Sequence, residues 1–168
     1  MTEESHGPWY YQQVMLGFNY RMTDIQAALG LSQMARLDDY IARRHEIAAR
    51  YTKLLADLPL VLPWQHSDGH SAFHLYVVRL KLNEIRATHL EIFTEIRAAG
   101  ILINVHYIPV HTQPYYQNLG FQQGDFPIAE QYYHEVISLP IYPKLLDTQQ
   151  DHVAVSYTHL TLPTIYSV

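Results

Sequence analysis

Two short stretches carry side chains suited to binding an anionic, oxygen-rich ligand. In the first, Asn19 and Arg21 stand just before Thr23, and Gln26 follows Thr23 by three positions. A Thr and a Gln at that spacing form a capping box: the hydroxyl takes a free helix N–H and the amide side chain reaches back to the cap. A helix start offers unpaired N–H groups and the positive end of the helix dipole. Gly17–Met22 therefore reads as a polar loop able to hold a phosphate or carboxylate. On physics alone the favoured reading is the polar lead-in to a well-capped surface helix. The second stretch, His106 to Tyr116, gathers two imidazoles, three phenols, a hydroxyl and an amide. Flat rings suit stacking, and neutral donors and acceptors suit sugar hydroxyls, a uracil edge or a pyrophosphate. A loop whose aromatics fill the gap between helix and sheet is the other reading, and for Tyr115 and Tyr116 the favoured one. His66, His70 and His74 recur every four residues. Gly69 and the strand-like run after it argue against the helix such a metal site would need, so none is assigned.

The elements that must position these groups follow from periodicity. From Asp24, apolar residues run at helical spacing through Ile25, Leu29, Leu37, Ile41, Ala48, Tyr51 and Leu55 to Leu58, where Pro59 stops the pattern. One straight helix of that length would span about 50 Å at 1.5 Å per residue. A break near Leu37-Asp38 is therefore expected, with Asp38 capping the second part. Residues 73–80 read as a central strand, and Thr88 caps a helix closed by Gly100. Ile101–Val105 reads as a second strand, Pro127 opens a helix running to about Val136, and Ile137–Ile141 is a short edge strand. Asp147 with Gln150 begins a last helix, whose stripe fades after Val155. The fold class is α/β: long helices plus a small sheet covered by helices.

Composition narrows the function. A chain of 168 residues supports one domain with a real core. A net charge of −5 argues against a nucleic-acid partner. The absence of cysteine excludes disulfides and thiolate chemistry and suits a cytoplasmic protein. No apolar run reaches the ~18 residues of a membrane span.

The run Gly17-Phe-Asn-Tyr-Arg-Met-Thr-Asp-Ile-Gln-Ala-Ala-Leu-Gly30 resembles the signature of the DegT/StrS family of pyridoxal phosphate-dependent nucleotide-sugar aminotransferases, and the likeness continues to about residue 153. Pro8-Trp9-Tyr10-Tyr11 and His106-Tyr107-Ile108-Pro109-Val110-His111 resemble one branch of it, which makes UDP-4-amino-4,6-dideoxy-N-acetyl-β-L-altrosamine on the way to pseudaminic acid. The resemblance implies the C-terminal part of a fold-type I, aspartate aminotransferase-like enzyme. Residues 1–37 would end its large domain and 38–155 would form its small domain, with 156–168 a tail foreign to the fold. It further implies that Asn19 and Arg21 serve the cofactor phosphate of a neighbouring subunit in a homodimer. His106, Tyr107 and His111 would bind a UDP-sugar that receives its amine from glutamate. The family's Schiff-base lysine lies upstream of this motif. The chain's own lysines, Lys53, Lys81 and Lys144, do not match it, so no catalytic residue is assigned here.

Overall fold

The computed structural model describes residues 17, 18 and 20–161. The chain divides between Leu37 and Asp38 into two compact units.

In the first unit, α1 (Asp24–Met34) begins with the capping box read from the sequence. The Gln26 N–H donates to Thr23 Oγ1 at 3.3 Å, and the Thr23 N–H donates to Gln26 Oε1 at 2.9 Å. None of the residues of α1 is buried, and Ile25, Leu29, Leu31 and Met34 stand exposed.

The predicted break is present, but without the predicted cap. A turn at Ala35-Arg36 separates α1 from α2 (Leu37–Leu54), and Asp38 and Asp39 lie in the first turn of α2. There their carboxylates face the positive end of the helix dipole. The second unit follows with β1 (Leu60–Val61), β2 (Tyr76–Leu80), α3 (His89–Ala98), α4 (Pro114–Gln117), α5 (Pro127–Glu135), β3 (Val136–Leu139) and α6 (Asp147–Thr161). The strands form one antiparallel sheet in the order β1-β2-β3, with Leu60 opposite Leu80 and Tyr76 opposite Leu139.

Alternation along β2 buries Tyr76, Val78 and Leu80 on one face. That face meets Ile47 and Tyr51 of α2, Ile92 and Ile96 of α3, and Val153 and Tyr157 of α6 in one apolar cluster. Full burial of a single Leu or Ile side chain is worth about 1.5–3 kcal/mol, so this cluster is what secures the unit. Several of its polar atoms are paired. Tyr51 donates to the Pro140 carbonyl at 3.0 Å, the Tyr76 and Thr52 hydroxyls meet at 2.9 Å, and Gln150 Nε2 donates to the Ile47 carbonyl at 3.0 Å. Desolvation pushes the Tyr51, Tyr76 and Tyr157 phenols above their ordinary pKa. On the outer side Arg50 bonds Asp151 at 2.7 Å and ties α2 to α6.

The helix after Thr88 starts at its expected cap, which the structure completes as a capping box with the Thr88 N–H donating to Glu91 Oε2 at 2.7 Å, and Gly100 at φ +81° ends it. The segment after it departs from the expected strand. Ile101–Val105 contributes only an isolated bridge, Asn104 opposite Ser138. Its backbone groups are taken elsewhere: the Ile101 N–H closes α3 on the Ile96 carbonyl, Arg97 occupies the Ile103 carbonyl, and the Asn104 side chain accepts the Val105 N–H. The last helix departs as well. Its start is closed by Gln149, whose Oε1 accepts the Leu146 N–H at 3.0 Å, while Gln150 is turned into the core. It also does not end near Val155. Gln150, Val153, Ala154 and Tyr157 continue one buried stripe, and the helix runs on to Thr161. Residues 156–161, the start of the stretch assigned to a foreign tail, are thus helical, and Tyr157 among them is buried.

Tyr157→Ala should therefore destabilise the protein by about 3 kcal/mol or more, as expected for removing a large buried ring. Urea denaturation reads this directly; an unchanged midpoint would show that the last turns of α6 contribute nothing.

Candidate functional site

Residues 104–126 leave the α3 side of the core and return at α5, and the structure shows how such an irregular segment is held. At its start, Asn104 and Ser138 exchange backbone bonds at 2.8 and 3.3 Å, and His106 Nδ1 lies 2.8 Å from Ser138 Oγ. Pro109 then leads into a 3₁₀ turn at Val110–Thr112, locked by Thr112 Oγ1 donating to the Pro109 carbonyl at 2.8 Å. Pro114 opens α4, where a missing N–H costs nothing. Gly120 and Gly124, at φ +103° and +98°, turn the chain back, through conformations that side chains with a Cβ adopt rarely.

At the return end Glu130 closes the loop. Its Oε1 accepts from His111 Nε2 at 2.8 Å and from the Gly124 N–H at 2.7 Å. A carboxylate only accepts, so His111 donates from Nε2. The His111 hydrogen bond, then that of the Gly124 N–H, holds the Glu130 carboxyl below its ordinary range. Phe126 packs against the His111 ring, with centroids 4.8 Å apart.

Two shallow recesses share this aromatic wall. One, of about 580 Å³, lies between Tyr107, Pro109, Phe126, Ile128 and Tyr132. The other, of about 330 Å³, lies between Val110, His111, Tyr116 and Phe121. Tyr107 is 66% exposed at the rim of the first, and the His106 and Tyr107 rings stack at 6.4 Å. Such walls offer apolar faces and a few neutral donors, which is the chemistry of a flat or sugar-like ligand.

The structure thus treats the expected site residues differently. His106 and Tyr107 are adjacent and accessible. His111 is 8% exposed, and its Nε2 is bonded to Glu130 across the loop. Tyr115 and Tyr116 stack edge-on at 5.3 Å. Asn19 lies outside the described residues, and Arg21 belongs to the other unit, on the exposed approach to α1. His66, His70 and His74 do not converge: His70 stacks on His45 at 4.4 Å, and His66 lies against Trp64. Among the described residues no group of three or more His, Cys, Asp or Glu is placed to hold a metal. Sequence reasoning missed Glu130 and Ser138. Ser138 had left a trace, as the one polar residue in the apolar run Val136–Leu139, because a buried hydroxyl needs a partner.

The fold matches the C-terminal part of sugar aminotransferase structures. The structure of the putative sugar aminotransferase Spr1654 from Streptococcus pneumoniae, in its apo form, matches with TM-score 0.81 and 31% identity, over 94% of this chain and 39% of that one. Structures of the same protein in pyridoxal phosphate and pyridoxamine phosphate forms match comparably, with TM-scores of 0.80. Helicobacter pylori PseC, an aminotransferase involved in the biosynthesis of pseudoaminic acid, matches with TM-score 0.81 and 28% identity, over 94% of this chain and 42% of that one. Among curated relatives, the spore coat polysaccharide biosynthesis protein SpsC of Bacillus subtilis is 43% identical over 152 residues, 89% of this chain and 39% of SpsC. The model of the DegT/DnrJ/EryC1/StrS aminotransferase family matches residues 3–157, and the chain belongs to that family. It spans about two fifths of the length of the curated relatives it matches.

Glu130 gives a pH prediction. Because its folded-state pKa lies below the ordinary 4.5, its contribution is complete above that value. It is lost as pH falls through the lower folded-state pKa. Glu130→Gln should lower the melting temperature and speed exchange of the Gly124 amide at pH 7. Both differences from wild type should shrink below about pH 4; a pH-independent difference would contradict an ionised Glu130 as the acceptor.

Proposed function

We propose that this chain is the C-terminal part of a pyridoxal phosphate-dependent aminotransferase acting on a nucleotide-linked keto sugar. In this reading the amine passes from glutamate to C4 of a UDP-4-keto-6-deoxy-N-acetylhexosamine, giving UDP-4-amino-4,6-dideoxy-N-acetyl-β-L-altrosamine. The enzyme works as a cytoplasmic homodimer. The observation that carries the reading is the braced loop with Tyr107 exposed on an apolar recess, in a chain whose family is one of aminotransferases. The similarity to PseC supports the pseudaminic acid branch.

The residues of this chain do not by themselves fit the cofactor. A Schiff base needs a lysine at the site. Lys53 is exposed on α2, Lys81 lies 3.5 Å from Glu84 beyond β2, and Lys144 is exposed after Pro143; none lines the recesses beside Tyr107 and His111. No step through the cofactor is therefore derived from this chain, and its part in the reaction is recognition. Tyr107 offers a ring face and a hydroxyl, and His106 a hydrogen-bonding nitrogen. Asn19 and Arg21 are proposed to join the phosphate cup of a neighbouring subunit. The lysine placement also favours a second reading, a sugar-nucleotide binding module without catalysis. Appending the large domain of a relative separates the two, since only the first gains glutamate-dependent amination of the keto sugar.

Calorimetric titration of the chain with UDP-N-acetylglucosamine tests what both readings share. Binding is expected, and Tyr107→Ala should weaken it about tenfold, the scale of one lost aromatic contact. Equal affinity in wild type and variant would remove Tyr107 from the site.

A further inference from the structure

We propose that Ser138 is a positioning residue for His106, holding its imidazole in the Nε2–H form so that the ring meets the ligand as a neutral donor. The assignment of His106 to the ligand rests on the function proposed above; the Ser138 contact stands independently of it.

Ser138 is 4% exposed and sits within β3, whose backbone pairs with Val77 on one side and Asn104 on the other. Its N–H and carbonyl both bond Asn104, and the pairing of β3 with β2 holds the strand from the other edge. The side chain adds a third tie, with Oγ 2.8 Å from His106 Nδ1. A serine hydroxyl carries one proton, and burying that proton without an acceptor costs more than the bond itself returns. Among the described residues His106 Nδ1 is the partner found for Ser138 Oγ. The lone pair of Nδ1 is the acceptor within reach, so the hydroxyl donates and Nδ1 carries no hydrogen. In a neutral imidazole the remaining hydrogen is then on Nε2.

Two consequences follow for recognition. A donor whose direction is set in advance loses little freedom on binding, which raises affinity without adding a contact. It also selects for acceptors: a sugar hydroxyl oxygen, an acetamido carbonyl or a phosphoryl oxygen is matched, whereas a group that can only donate is not. Tyr107, next in sequence and stacked on the same ring, keeps its side chain exposed beside that donor. The serine is thus outside the site and acts through the histidine.

The test is nitrogen-15 NMR of the imidazoles in the full chain, with backbone spectra as the control for folding. Wild-type protein should show His106 with an unprotonated Nδ1 and a protonated Nε2. Ser138→Ala should release the ring to a mixture of tautomers and weaken UDP-N-acetylglucosamine binding about fivefold, the scale of one hydrogen bond. Ser138→Thr keeps the hydroxyl at a position where β-branching is tolerated, and should restore the Nε2–H signature. A protonated Nδ1 in the wild type, or an unchanged tautomer in Ser138→Ala, would overturn the proposal. If the tautomer responds as described while neither Ser138→Ala nor His106→Ala alters binding, the positioning holds and the sugar-nucleotide role of His106 is what fails.

Discussion

Four residue pairs between β2 and β3, from Tyr76 opposite Leu139 to Arg79 opposite Val136, hold the second unit together. β3 ends the sheet order, as an edge strand was expected to, yet every residue of it is buried, with Asn104 bridged to its outer side. On β2 the paired strand presents Tyr76, Val78 and Leu80 to the helices. On its other edge Ser138 catches Asn104 and His106, which begin the candidate site. The ladder therefore supplies both the core and the base on which an irregular loop can be precise. Without it, residues 104–126 would have only Glu130 and a few turn bonds to define their path.

That division of labour accounts for which groups are left to meet a ligand. Groups bonded within the loop are spent: His111 and Glu130 satisfy each other, and Gly124 takes the second lone-pair direction of the same carboxylate oxygen. The apolar faces of Tyr107, Phe126 and Ile128 are not covered. A rigid loop with exposed aromatic faces binds at lower entropic cost than a mobile one. The arrangement is suited to recognition. The chemistry of amine transfer needs groups that this chain does not bring to the loop.

Local signals were legible in the sequence wherever one residue type has one dominant use. Both threonine caps, the Gly100 turn and Pro127 at the start of α5 were readable at that level. The break between the first two helices followed from length alone. Long-range competition was not legible. Ile101–Val105 has the composition of a strand, yet Arg97 and the end of α3 take the backbone groups that a ladder would need. The last helix looked exhausted because Pro163 and polar residues dominate the text after Val155, whereas Tyr157 still falls on the buried stripe. In the candidate site, the imidazoles and phenols were visible as types. Which of them face inward was decided by Glu130 and Ser138, 19 and 32 residues away from the histidines they hold.

A crystal structure of the chain joined to a relative's large domain, with UDP-N-acetylglucosamine bound, tests the central claim most directly. The account predicts the ligand against the Tyr107 ring, with a sugar or phosphoryl oxygen within hydrogen-bonding distance of His106 Nε2. A ligand fully enclosed elsewhere, with the 104–132 surface facing bulk solvent, would contradict it.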